Sequence, residues 1–131
     1  MKTVLVVDDD DALRELILWK LTKGGYATLS AADGEAGLAK ATSAVADGNA
    51  PDLILVDWMM PKMTGIDLCQ ALRDNPLTAP IPIILLTANR TDAEVERGFE
   101  VGVDDYILKP FNPKELLGRV RAVLGRAEAP A

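Results

Sequence analysis

Five residues far apart along the chain have types that could work together: Asp8, Asp9, Asp57, Thr87 and Lys109. Asp57 follows the unbroken apolar run Leu53-Ile54-Leu55-Val56. Asp8 and Asp9 follow Thr3 to Val7, Thr87 follows Ile83 to Leu86, and Lys109 follows Tyr106-Ile107-Leu108. Runs without polar alternation suit strands covered on both faces. If these strands are parallel, all four ends fall on one edge of a sheet, where open α/β sheets build their sites. Clustered carboxylates repel: two unit charges ~4 Å apart do so by about 4 kcal/mol at an effective dielectric of about 20. Lys109 offers one fixed positive charge, and a divalent cation would supply the rest. Carboxylates, a carbonyl and water suit Mg²⁺, a hard ion that keeps much of its hydration. A carboxylate beside a metal, a lysine and a hydroxyl can attack phosphorus to give an aspartyl phosphate. Such transfer depends mainly on positioning and charge neutralisation, from Mg²⁺ and Lys109 on the phosphoryl oxygens and a hydrogen bond from Thr87. The plainer alternatives are a helix-capping role for Asp8 to Asp11, a loop carboxylate at Asp57, a backbone-bonded hydroxyl at Thr87 and a solvated lysine at 109.

The elements that would position these residues alternate strictly. After the first strand a helix capped by Asp10 or Asp11 is expected, with Leu13, Leu16, Ile17 and Leu21 at helical spacing and Gly24-Gly25 at its end. A second strand is expected over Tyr26–Ser30, then a helix capped by Asp33 through Glu35, Leu38 and Ala41, and a loop from Ala44 to Pro51. A third helix follows Gly65, with Ile66, Cys69 and Leu72 on one face. Asn75 to Pro82 holds three prolines and reads as a loop. A fourth helix is expected over Asp92–Val101, closed by Gly102, and a fifth from Pro113 to about Arg126, burying Leu116, Leu117, Val120, Val123 and Leu124. Pro113 suits a first turn, where its missing N–H costs nothing. Five β-α units in this order predict a doubly wound parallel sheet with helices on both faces. Residues 1–126 form one domain in this reading, and 127–131 a frayed tail or the start of a linker.

Composition narrows the function. The chain has 131 residues, enough for one core, and a net charge of −6, which argues against direct nucleic-acid contact. No apolar run approaches a membrane span, and no signal peptide is visible. The single Cys69 excludes an internal disulfide and fits a cytoplasmic setting. The absence of histidine removes His-based zinc sites and His-dependent triads, and any phosphohistidine of the chain's own.

VVDDD at the first strand, LVDWMMPKMTG around Asp57, LLTA at Thr87 and GVDDYILKPF with Lys109 stand in order. On these motifs the chain resembles the receiver domain of bacterial two-component response regulators. The resemblance implies the flavodoxin-like strand order 2-1-3-4-5. It implies Asp57 as phosphoacceptor and Asp9 as the main Mg²⁺ carboxylate, with Asp8 partly through water. Asp57 and the Met59 carbonyl would complete the protein ligands. It further implies a cis Lys109-Pro110 bond and a phosphohistidine donor on a sensor histidine kinase or phosphotransfer protein. Thr87 and Tyr106 match the switch pair, in which the hydroxyl moves to the phosphoryl group and the ring turns inward. Met59 and Asn89 match positions that tune the lifetime of the phosphoryl group. Neither supplies a base for water, so slow self-dephosphorylation is expected.

The C-terminal segment most resembles the subgroup whose output is a winged-helix DNA-binding domain. There the surface of the fourth helix, fifth strand and fifth helix forms a symmetric homodimer. Asp104 with Arg119, and Asp105 with Arg126, match two of its cross-subunit pairs. Glu115 matches half of a third, but Val95 stands where its basic partner is usual, and Glu96 where an apolar contact is. Two other readings compete with the switch. A pseudo-receiver acting only as an interaction surface would be expected to lose Asp57, Lys109 or the acidic pair. A Mg²⁺-dependent phosphohydrolase resembling haloacid dehalogenases needs a second acid two residues beyond the nucleophile, where this chain has Met59.

Overall fold

The computed structural model describes residues 1–88 and 91–128. Five strands are observed: β1 (Thr3–Val7), β2 (Ala27–Ala31), β3 (Leu53–Asp57), β4 (Ile83–Thr87) and β5 (Asp105–Leu108). Five helices alternate with them: α1 (Asp11–Lys23), α2 (Gly34–Ala46), α3 (Gly65–Asp74), α4 (Asp92–Val101) and α5 (Pro113–Glu128). The sheet is parallel throughout, in the order β2-β1-β3-β4-β5. The expected α/β fold and strand order are therefore observed.

The period-2 geometry of the central strands sorts their side chains into two cores. Leu5, Val7, Ile54, Val56, Ile83 and Leu85 face Leu68, Cys69 and Leu72 of α3, with Ala41 of α2 and Val101 of α4 in the same cluster. Val4, Val6, Leu53, Leu55, Ile84 and Leu86 face Ile17 and Leu21 of α1 and Leu116, Val120 and Leu124 of α5. Each Val, Leu or Ile fully buried this way contributes roughly 1.5–3 kcal/mol. This two-sided burial holds the sheet rigid beneath the loops on its carboxyl edge.

Local chemistry sets the helix ends. Asp10, rather than Asp11, caps α1 by accepting from the Leu13 N–H. Asp33 caps α2, and Thr64 with Asp67 forms a reciprocal capping box on α3. Gly102 ends α4 at a φ of 97°, a left-handed conformation that glycine adopts without strain.

Five boundaries, counting both ends of the second strand, which closes at Ala31, and one core assignment differ from the sequence reading. The second strand starts at Ala27, since Tyr26 N–H turns back to the Leu21 carbonyl. Helix α2 continues through Ala46, because Ala44-Val45-Ala46 are compatible with a helix and nothing stops it before the Asp47-Gly48 turn. Strand β5 begins one residue earlier, at Asp105, and α5 runs on to Glu128. Leu16, expected with the buried stripe of α1, is exposed instead.

Candidate functional site

Asp57 is the last residue of β3 and is only 4% exposed. The chain beyond it is pinned tightly. Trp58 N–H donates to the Leu86 carbonyl of β4, and Gly65 N–H reaches back to the Trp58 carbonyl at 2.8 Å. A Cβ on Gly65 would collide with the Asp57 carbonyl oxygen and sit 2.8 Å from Trp58 Cα. Only glycine lets α3 start this close to the end of β3. The loop between them also holds Lys62 at a φ of 68°.

Neighbouring strands bring the other groups to Asp57. Asp8 follows β1 directly, its N–H on the Ala31 carbonyl and its side chain fully buried. Asp8 Oδ1 accepts from the Asp10 N–H at 2.9 Å, and Arg14 Nη1 donates to the Asp8 carbonyl at 2.7 Å. Arg14, a largely buried clamp on this turn, was not singled out in the sequence; its only signal is a basic residue one turn into a helix that follows four aspartates. Lys109 leaves β5 with its N–H on the Thr87 carbonyl, and the Lys109–Pro110 peptide is cis. Its Nζ donates to Asp57 Oδ1 at 2.7 Å and lies 4.0 Å from Asp8 Oδ2.

Among the described residues the charges do not balance. Asp8, Asp9 and Asp57 each offer a carboxylate oxygen, all within 4.8 Å of one another. Lys109 is the lysine among them, and the buried Asp8 Oδ2 has no hydrogen-bond partner among the described residues. Burial pushes the Asp8 carboxyl up to about 6, helped by the negative charges of Asp57 and Asp9 and opposed by the Asp10 N–H and Lys109. Burial also raises Asp57, against the opposing bond from Lys109. Two buried acids, an exposed acid and one unsatisfied oxygen fit the ligand set of a hard divalent cation.

Thr87 ends β4 and is buried at the same edge. One strand over, the Tyr106 ring is turned inward and 6% exposed. Its hydroxyl donates to the Val95 carbonyl of α4 at 2.8 Å, and Phe99 meets the ring edge-on with centroids 5.5 Å apart. Beside Lys109, the residues Leu13, Leu16, Ala88, Pro110 and Phe111 line an open, mainly apolar groove of about 390 Å³.

The sequence matches the response regulator receiver domain family over residues 4–121. The chain belongs to that family. The receiver is 45% identical to the phosphate regulon transcriptional regulatory protein PhoB of Pseudomonas aeruginosa, across 98% of this chain and 56% of that protein. It is 42% identical to the alkaline phosphatase synthesis transcriptional regulatory protein PhoP of Bacillus subtilis, across 99% of this chain and 51% of that protein. The receiver thus spans about half the length of these curated relatives. Among solved structures it is similar to the Vibrio cholerae chemotaxis protein CheY4, with a TM-score of 0.87 and 36% identity over 94% of this chain and 98% of that one.

The receiver fold brings Asp8, Asp9, Asp57, Thr87 and Lys109 to one sheet edge. Met59, two residues beyond Asp57 in the chain, is 71% exposed, while Asn89 lies outside the described residues. Four charged residues of the α4-β5-α5 surface pair within the chain. Asp105 binds Arg119 at 3.1 Å, and Glu115 also reaches Arg119. Asp104 takes Arg73 of α3 at 3.2 Å and accepts from the Ile83 N–H at 2.8 Å. Arg126 and Asp104 line one shallow groove. Among the described residues, no helix is long and apolar enough to cross a membrane.

Proposed function

We propose that this receiver is a phosphorylation-dependent switch in the cytoplasm whose phosphoacceptor is Asp57. The observation that carries the reading is the Asp57 carboxylate, buried at a strand end, bonded to Lys109 and crowded by two further acids, one with an unsatisfied oxygen. In the reaction, an Asp57 oxygen attacks the phosphorus of a phosphohistidine on a histidine kinase or phosphotransfer protein. The P–N bond breaks, the imidazole leaves with its electron pair, and Asp57 becomes an acyl phosphate. Asp8, Asp9, Asp57 and the Met59 carbonyl would hold Mg²⁺, which would supply charge neutralisation for the phosphoryl oxygens. Lys109 stays beside Asp57 and takes one phosphoryl oxygen, while the Thr87 hydroxyl takes another. The apolar groove beside Lys109 suits an apolar face of the donor protein. Exposed Met59 offers no base to water, which favours slow self-dephosphorylation.

The output follows from the surface that Thr87 and Tyr106 support. Thr87 moves towards the phosphoryl group, and the inward Tyr106 ring couples that shift to α4. On the α4-β5-α5 surface Asp104, Asp105, Glu115 and Arg119 exchange partners within the chain for partners on a second copy, where Arg126 also finds one. The relatives named as transcriptional regulators support a DNA-binding output beyond this domain. The test uses phosphoramidate, a small N–P donor, with intact mass and sizing chromatography. A gain of one phosphoryl group that needs Mg²⁺ and is absent in Asp57→Asn is expected, together with a shift towards dimer. No gain with wild type in Mg²⁺ would leave the fold as an interaction module and overturn the switch.

A further inference from the structure

Gly98 lies buried within α4, away from the turns where glycine is usually required. Its φ lies outside the left-handed region, so its backbone is open to any L-residue. Glycine in such a place weakens a helix relative to alanine. Gly118 and Gly125 of α5 have open space where a Cβ would go. Gly98 does not. A Cβ there would coincide with the Tyr106 hydroxyl, 2.6 Å from Cζ and 3.2 Å from Cε1. The ring has little room to yield, since its hydroxyl is held on the Val95 carbonyl and Phe99 stands against its edge.

We infer that Gly98 is a positioning residue for the switch: the notch it leaves in α4 is what admits the Tyr106 ring, so any side chain at 98 closes the inward state. The inference rests on the proposed role of Tyr106 for its consequence, but the notch itself is geometric. Strand β5 is registered against β4 with Tyr106 opposite Leu85 and Leu108 opposite Thr87. The ring therefore sits two residues from the level of the Thr87 hydroxyl, on the strand next to it. A movement of Thr87 can be relayed to α4 only while the ring is seated against that helix. Closing the notch leaves the phosphorylation chemistry intact and disconnects it from the α4 surface.

The experiment compares wild type, Gly98→Ala, Tyr106→Ala and the double variant. The Tyr106 ring is followed by ¹³C labelling of tyrosine, with Tyr26→Phe to assign the resonance. Gly98→Ala should move the Tyr106 signal to the position of a solvent-exposed ring. Phosphoramidate with Mg²⁺ should still label Asp57 in Gly98→Ala, and that signal should stay at the exposed position after labelling. Melting temperature gives a second, independent readout. Gly98→Ala should lower it in the wild-type background and raise it where Tyr106 is alanine, because only helix propensity then remains. An unmoved ring signal, or the same change in melting temperature in both backgrounds, would overturn the inference. Absence of labelling in wild type itself would count against the phosphoacceptor reading, while the ring and melting results would still decide the role of Gly98.

Discussion

Replacing Asp8 by asparagine should stabilise the metal-free protein at neutral pH, although it removes a buried residue of the site. Asp8 is fully buried, its Oδ2 has no hydrogen bond among the described residues, and its carboxyl is pushed from 3.8 to about 6, chiefly by burial. A folded-state value above the unfolded one means that the native protein binds the extra proton between the two. Stability from this group is therefore full below about pH 4 and is lost as pH rises through about 6. A shift of about two units corresponds to ~3 kcal/mol at pH 7. Asparagine keeps the acceptor for the Asp10 N–H and carries no charge. Urea unfolding in EDTA from pH 4 to 7.5 should give similar midpoints at pH 4. At pH 7 the variant should be ahead by on the order of 1–3 M, given a slope of about 1–3 kcal/mol per molar urea. Saturating Mg²⁺ should stabilise wild type, by ~2.7 kcal/mol at a hundred times Kd, and leave Asp8→Asn nearly unchanged. Parallel pH profiles, or a variant less stable than wild type at pH 7 in EDTA, would refute this account of the charge cluster.

Three further substitutions test the frame around the site. Gly65→Ala forces a Cβ against the Asp57 carbonyl and Trp58 Cα, so it should cost about 1–3 kcal/mol in urea unfolding and slow labelling of Asp57. Arg73→Ala removes the donor to the Ala79, Ile81 and Gly102 carbonyls and the partner of Asp104, and should lower stability by about 1.5–3 kcal/mol. Lys62→Asn should raise the melting temperature, by up to ~1 kcal/mol in stability, because asparagine tolerates the left-handed backbone at 62 better than lysine does. A fall in stability for Lys62→Asn, or none for Arg73→Ala, would contradict these assignments.

Most of the site was legible because each of its residues ends an apolar run, and parallel strands deliver run ends to one edge. The fold was legible for the same reason, since strict alternation of runs and helical patterns leaves little choice of architecture. Local sequence did not distinguish Asp8 from Asp9; only the family resemblance set them apart, with Asp9 as the main Mg²⁺ carboxylate. Adjacent aspartates look alike, yet the first is sealed beneath the loops and the second stays exposed. Arg73 was invisible because its partners lie across a proline-rich loop and at the end of α4. Gly98 was missed because its reason is a ring on another element, with no trace in its own neighbourhood. Leu16 kept helical spacing but lies on the outer side of α1, where it lines the groove beside Lys109. Boundary errors fell where the local sequence allows either outcome, as in Ala44-Val45-Ala46.

The most direct test is to locate the phosphoryl group. Wild-type protein is phosphorylated with acetyl phosphate and Mg²⁺ and then reduced with borohydride, which converts an aspartyl phosphate to homoserine. Peptide mass mapping should find that conversion at residue 57, dependent on Mg²⁺ and lost in Lys109→Ala or strongly slowed. Conversion at another aspartate, or none with Mg²⁺ present, would contradict the assignment of Asp57 as the phosphoacceptor.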